Sequence, residues 1–242
     1  MERKYVRQLR IPLSLCGADA RLSLWGAFSL CMDLAAAHAQ DIGVGMAEMQ
    51  KKDQFWLTVR TRLRFYRRPA LMERVTAATW PEKPGPARCN RDYELTAGEE
   101  TLLQGKTEWT VMDTAAGRIC PARGIYPAEL TDMLTDETVW PEPFARIPAD
   151  FTGAETIGEY TVRSTDVDLG GHMNNAAYPR AIFSLLSVSQ LAELDFSDVE
   201  LNFRSPAYEG ETLTVRRRPG PDCTDLGMFT QEGKNILLAR MK

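Results

Sequence analysis

Histidine is nearly absent. The chain has two, His38 and His172, in 242 residues, which excludes a histidine-built metal cluster. Cysteine is sparse: Cys16, Cys31, Cys89, Cys120 and Cys223 are odd in number, scattered, and form no C-x-x-C pair. Neither a disulfide framework nor a zinc site follows, and the five read as reduced packing thiols of a cytoplasmic protein. No apolar run reaches bilayer-spanning length, and "MERKYVRQLRIPL" enters strand-like alternation without a signal-peptide core. There is no G-x-x-x-x-G-K-[ST] loop and no G-x-G-x-x-G fingerprint, so no cofactor is expected. Charge is close to balance, 29 basic against 33 acidic residues for a net of −4. That argues against a general nucleic-acid binder.

What is present reads as a duplication. A strand ("KYVRQLRIPL") and a nearly all-apolar helix ("ARLSLWGAFSLCMDLAAAHAQ") are followed by "FWLTVRTRLRFY", "ERVTAATW", "CNRDYEL" and "TLLQGKTEWTVMD". The second half repeats the order: strand "IGEYTVRST", helix "NNAAYPRAIFSLLSVSQLA", then "DVELNFRSP", "ETLTVRRRP", "DLGMFTQ" and "NILLARM". Short echoes keep the same order, "FSL" in both helices and "YRRPALMERVT" against "FRSPAYEGETL". The prolines at 121, 127, 141, 143 and 148 predict an extended linker, since proline fixes φ and removes a ladder donor. The expected division is residues 1–130, a linker at 131–153, and residues 154–242. The fold class is α+β, each unit a curled antiparallel sheet wrapped around one long helix. So small a unit leaves a sheet edge open, for its sister or for a homodimer.

One stretch concentrates polar chemistry: "DVDLGGHMNNAAY", residues 166–178. Asn174 and Asn175 are good caps for the second helix, with Pro179 in its first turn. Amides at such a start can hold an oxyanion, and Gly170 and Gly171 allow close approach to the backbone. Asp168 and His172 complete a constellation suited to acyl transfer. The same residues also suit an ordinary polar turn that starts a helix.

The stretch resembles the Asp-x-x-Gly-His-apolar-Asn-Asn-x-x-Tyr signature of hotdog-fold thioesterases. "LAAAHAQDIGVG", "FWLTVRTRLRFYRRP", "ERVTAATWP", "NRDYEL" and "TEWTVMDTAAGRICP" are similar to the N-terminal hotdog of the acyl-ACP (acyl carrier protein) thioesterases of plants and bacteria. The resemblance implies a double hotdog that hydrolyses fatty acyl-ACP without metal or cofactor, with catalysis in the C-terminal unit and much of the acyl pocket in the N-terminal one. It assigns catalysis to Asp168 and His172, and the oxyanion and substrate contacts to Gly170, Gly171, Met173, Asn174 and Asn175. The family's Asn falls on Gly170. Its downstream carboxylate falls near Pro206, with Glu209 and Glu211 as candidates to stand in. The matching loop of the first half, "LCGADARL", has no histidine, so one active site per chain is expected.

Further expectations concern substrate and partner. Trp25, Phe28, Met32, Phe55 and Trp56 would line the acyl channel or the plain core. Arg60, Arg62, Arg64 and Arg68, at period two, share one strand face: either a solvated face or one that steers the acidic carrier protein. His38 reads as a packed, hydrogen-bonded histidine or pocket residue. Two alternatives stand beside acyl-ACP hydrolysis: an acyl-CoA thioesterase of the same fold, and a non-catalytic acyl-binding module, for which Gly170 and Pro206 speak.

Overall fold

The structure is a computed structural model that describes residues 2–131, 134, 136–194 and 196–242. It divides into two compact units, Met1–Pro143 and Phe144–Lys242.

Unit 1 opens with β1 (Tyr5–Arg10) and a 3-10 turn at Leu13–Leu15, then the helix α1 (Leu24–Asp41). Ser23 caps that helix by accepting the Gly26 N–H at 3.0 Å, and leaving Ser without its cap role would free an orphan donor. A short α2 (Met46–Gln50) lies in the insertion before β2 (Gln54–Phe65). Strands β3 (Arg74–Pro81), β4 (Cys89–Ala97), β5 (Glu100–Asp113) and β6 (Arg118–Cys120) and a one-turn α3 (Ala128–Thr131) follow. The strand order is β1-β3-β4-β5-β2, all antiparallel, with β6 added beside β5. Leu30, Cys31 and Leu34 of α1 and Tyr93, Leu95 and Leu103 of the sheet are buried and line one small cavity. This is the burial expected of a helix apolar on most sides. All five cysteines are free thiols.

The described residues from 136 to 150 form neither helix nor strand, but part of this stretch is held against the sheet. Trp80, Asp92, Lys106 and Arg62 are register neighbours and form one row across β3, β4, β5 and β2. Residues 137–140 lie along that row like a strap. The Glu137 carboxylate takes Arg3 and Lys4, each at 2.5 Å, and its carbonyl accepts the Trp80 Nε1–H. Asp92 Oδ1 accepts from the Val139 N–H and the Thr138 hydroxyl, both at 3.3 Å. Lys106 Nζ donates to the Trp140 carbonyl at 3.1 Å, and the Trp140 ring stands 5.3 and 4.9 Å from the Arg62 and Arg64 guanidinium groups. The segment to Pro143 thus belongs with unit 1. Asp92 is fully buried. Burial, then the neighbouring Glu82 charge, pushes its carboxyl up to about 8 against the pull of Lys106.

Unit 2 consists of β7 (Glu155–Thr161), a 3-10 turn at Ser164–Asp166, α4 (Ala177–Phe183), α5 (Val188–Glu193), β8 (Asp198–Phe203), β9 (Thr212–Pro219), β10 (Thr224–Phe229) and β11 (Asn235–Met241). Its order, β7-β9-β10-β11-β8, repeats that of unit 1 strand for strand, with helix between the first and second strands. One expectation is corrected. The single long helix over 174–192 is two short ones. Ser187 restarts the chain with a capping box: its hydroxyl accepts the Gln190 N–H at 3.2 Å, and the Gln190 side chain accepts the Ser187 N–H at 2.8 Å. Such a box satisfies helix-start donors and so favours a break there.

Candidate active site

The polar stretch of unit 2 folds as a tight hairpin. Val167 bridges Met173, the Asp168 N–H donates to the His172 carbonyl at 3.1 Å, and the Gly171 N–H returns to the Asp168 carbonyl at 3.0 Å. Gly171 supplies the positive φ, +73°, that this turn needs. Leu169 stands at the tip, 85% exposed. Asp168 and His172 therefore face each other across one backbone hydrogen bond, both half-buried. Their side chains are turned to other partners. Asp168 Oδ1 accepts the Gly170 N–H at 2.8 Å, and His172 Nδ1 lies 3.3 Å from the Met173 carbonyl. With the proton on Nδ1, the Nε2 lone pair of His172 is left for chemistry.

The amides expected to hold an oxyanion are mostly engaged. Gly170 and Gly171 donate within the turn, Met173 to the Ala207 carbonyl at 2.8 Å, and Asn174 to the Asp166 carbonyl at 2.8 Å. The amides of His172 and Asn175 donate to no acceptor among the described residues. Asn174 does act at the helix start, its Oδ1 taking the Ala176 N–H at 2.8 Å. With α4 only seven residues long, individual amides rather than a long helix's macrodipole must carry any anion stabilisation.

Unit 1 contains the same hairpin, bond for bond. Cys16 bridges Leu22, Gly17 N–H donates to Arg21 O, and Ala20 N–H to Gly17 O. Leu22 N–H donates to Pro69 O, and Ser23 N–H to Leu15 O. Adding 151 to these numbers, or 138 for Pro69, gives the unit 2 partners. Asp168 thus corresponds to Gly17, and His172 to Arg21. The site residues are absent from unit 1 while the backbone that carries them is present. Position 206, where a carboxylate was expected, corresponds to Arg68, which is paired with Asp19.

The remaining candidates are placed as follows. Glu209 is exposed. Glu211 bends back, but its Oε2 is taken by the Tyr208 N–H at 2.9 Å. Tyr178 is buried on α4: burial raises its hydroxyl's pKa, a hydrogen bond with the Ala207 backbone opposes the rise, and the charges of Glu211 and Asp168 add to it. Arg60, Arg62 and Arg64 do share a face of β2, but Trp140 covers Arg62 and Arg64, and Arg60 Nε lies 3.3 Å from Glu108. Arg68 does not join them, because β2 ends at Phe65. Of the apolar set, Phe28 is buried and Trp25 and Met32 are half-buried on α1. Phe55 and Trp56 point to opposite faces of β2, and Trp56 joins the cluster around Val44 and Tyr126, donating to the Val44 carbonyl at 2.9 Å. The five do not share one wall. His38 is buried between the Glu2 carbonyl and Arg91, at 3.1 and 2.9 Å. Burial, then the Arg91 charge, lowers its pKa to about 4.

Asp166, the first residue of the polar stretch, is given no role by the sequence. It is 2% exposed, and it accepts from the Tyr160 hydroxyl at 2.7 Å, the Arg163 N–H at 2.9 Å and Arg180 Nη2 at 2.8 Å. Burial opposes ionisation, but those donors hold its carboxyl below the ordinary range. No local pattern links Tyr160, Asp166 and Arg180; only a position-by-position comparison of the two halves marks them.

Comparison with known proteins places this geometry. The family model of the acyl-ACP thioesterase N-terminal domain matches residues 2–125, and that of the C-terminal domain residues 150–236. An oleoyl-acyl carrier protein thioesterase of Coriandrum sativum is 21% identical over 217 residues, 80% of this chain and 57% of that protein. The chain spans about half the length of the curated relatives it matches. Among solved structures, an acyl-ACP thioesterase from Bacteroides thetaiotaomicron superposes with a TM-score of 0.88 at 16% identity, covering 99% of this chain and 97% of that one. A 12:0-ACP thioesterase from Umbellularia californica gives 0.84 at 20% identity, covering 100% and 97%. These likenesses show the fold; the two domain matches, in order and over most of the sequence, show that the chain belongs to the acyl-ACP thioesterase family.

Proposed function

We propose that the protein hydrolyses the thioester of fatty acyl-ACP, releasing the free fatty acid and the carrier protein, from two hotdog units in tandem, each with a curled sheet. The observation that carries the reading is the hairpin of unit 2. It presents Asp168 and His172 on one turn, while the matching hairpin of unit 1 keeps the backbone and lacks both groups. Water attacks the thioester carbonyl carbon and gives up a proton to the Asp168–His172 pair. The C–O bond forms, the C–S bond breaks, and the leaving sulfur takes a proton from the pair. The His172 amide, the free one of the 171–173 run, and that of Asn175 are the candidate oxyanion donors; one such donor is worth on the order of 3 kcal/mol of barrier. Phe28 and Trp56 are the carried-forward acyl contacts. No metal or cofactor is required by this scheme.

Replacing His172 by Ala should lower hydrolysis of acyl-ACP by about 10²–10⁴-fold with the melting temperature unchanged. Parental rates in that variant would refute the scheme. Running acyl-ACP and acyl-CoA side by side decides the carrier. A second reading, a non-catalytic acyl-binding module, is favoured by Gly170, by Pro206 and by the lack of a side-chain hydrogen bond between Asp168 and His172 among the described residues. Tight fatty-acid binding without turnover would support it.

A further inference from the structure

We propose that Asp166, with Tyr160 and Arg180, is a positioning device for the catalytic hairpin: it fixes the hairpin's base so that His172 and its amide are held in place. The inference rests on the reading of unit 2 as the catalytic unit. The duplication supplies the control. The offset that superimposes the two hairpins puts Leu9 where Tyr160 stands, Pro12 at Arg163, Leu15 at Asp166 and Ser29 at Arg180. The register agrees, since Leu9 pairs with Val75 as Tyr160 pairs with Leu213. The carboxylate and all three of its donors are thus missing together in unit 1. Even the backbone donor is gone, because proline has no N–H.

Unit 1 nonetheless builds the 3-10 turn, the bridge and the turn bonds. The fold therefore does not need the carboxylate. A buried carboxylate is costly unless paired and hydrogen-bonded, and an apolar residue in its place is often as stabilising. Its presence in the one hairpin that holds Asp168 and His172 calls for another reason, and its bonding supplies one. Asp166 ties the end of β7, through Tyr160, to the first turns of α4, through Arg180. Its own carbonyl holds the Asn174 N–H at 2.8 Å, two residues from His172. Asp166 touches no reacting atom in this account; it acts through the hairpin.

The test uses the full chain with acyl-ACP as substrate and hydrogen exchange as a readout independent of activity. Asp166→Asn should speed amide exchange at Gly171, Met173 and Asn174 at least tenfold and lower kcat at least tenfold, with KM within twofold. The triple variant Tyr160→Leu, Asp166→Leu, Arg180→Ser imports the set with which unit 1 folds. It should melt cooperatively near the parent and show the same two losses. Tyr160→Phe removes one hydroxyl and should give smaller changes of the same sign; it decides the matter if the others do not fold. Folded variants with parental exchange and parental kcat overturn the proposal, as does a rise in KM with kcat unchanged. If the parent itself shows no hydrolysis, the thioesterase reading fails, and exchange alone still decides the positioning.

Discussion

Trp140→Ala is the sharpest test of the strap. Trp140 is 4% exposed, although it lies in a segment without helix or strand. Truncating a buried Trp to Ala typically costs about 3–5 kcal/mol. Two features place this site at the lower end. The ring rests on the Arg62 and Arg64 guanidinium groups, which water can reclaim once the ring is gone. The Lys106 bond to the Trp140 carbonyl uses backbone and survives the substitution. The expected loss is therefore about 3 kcal/mol, a fall in Tm of about 6–12 °C at the 2–4 °C per kcal/mol usual for chains of this size. Calorimetry gives the Tm, and a urea titration should show a lower midpoint with an unchanged slope. A loss under about 1 kcal/mol would mean that the ring is not held against the sheet, and that residues 137–140 behave as a linker after all.

Asp92→Asn should flatten a pH dependence. The folded-state pKa, about 8 against an ordinary 3.8, favours the protonated form, while His38, lowered to about 4 from 6.5, acts with the opposite sign below about 6.5; the parent's stability should therefore fall as pH rises from about 6.5 to about 8, and denaturation midpoints of the variant should not show that fall. Gly26→Ala should destabilise by about 1–3 kcal/mol, because its Cβ would sit 2.1 Å from the Leu15 carbonyl oxygen; a neutral thermal melt would contradict the close approach of α1 to the first 3-10 turn. Gly171→Ala should cost about 1–2 kcal/mol from backbone strain alone, since φ is +73° and nothing lies within 4 Å of the added Cβ; a stabilised variant would show that the turn is not left-handed there.

The strands of both halves were legible because alternation and turn residues are local. Gln54–Phe65 and Asn235–Met241 fall within a residue of the expected segments. The repeat was legible for the same reason, as two runs of the same order. The long second helix was misread because its apolar spacing runs on through Ser187, and only the reciprocal bonds with Gln190 show that the chain restarts there. The shared face of Arg60, Arg62 and Arg64 was legible from period two. Its cover was not, because Trp140 comes from a segment with no periodicity, some seventy-six residues beyond Arg64.

The candidate site divides along the same line. Residue types at 168 and 172 are a matter of sequence, and so is the glycine that turns the chain between them. Which amides remain free is not, because the acceptor that removes Met173 from use is the carbonyl of Ala207, thirty-four residues on. That bond also recurs in unit 1, between Leu22 and Pro69, so it belongs to the fold and not to the chemistry. Subtracting the bonds common to both hairpins leaves the Asp168 carboxylate with its Gly170 donor, the His172 ring and its amide, whose unit 1 counterpart at Arg21 is taken by Asp19, the Asn174 side chain on the Ala176 N–H, and Asp166 with its three donors. With the free Asn175 amide beside it, that remainder is where unit 2 differs from unit 1 in this hairpin, and mutations that disturb only the shared bonds should change stability before they change rate.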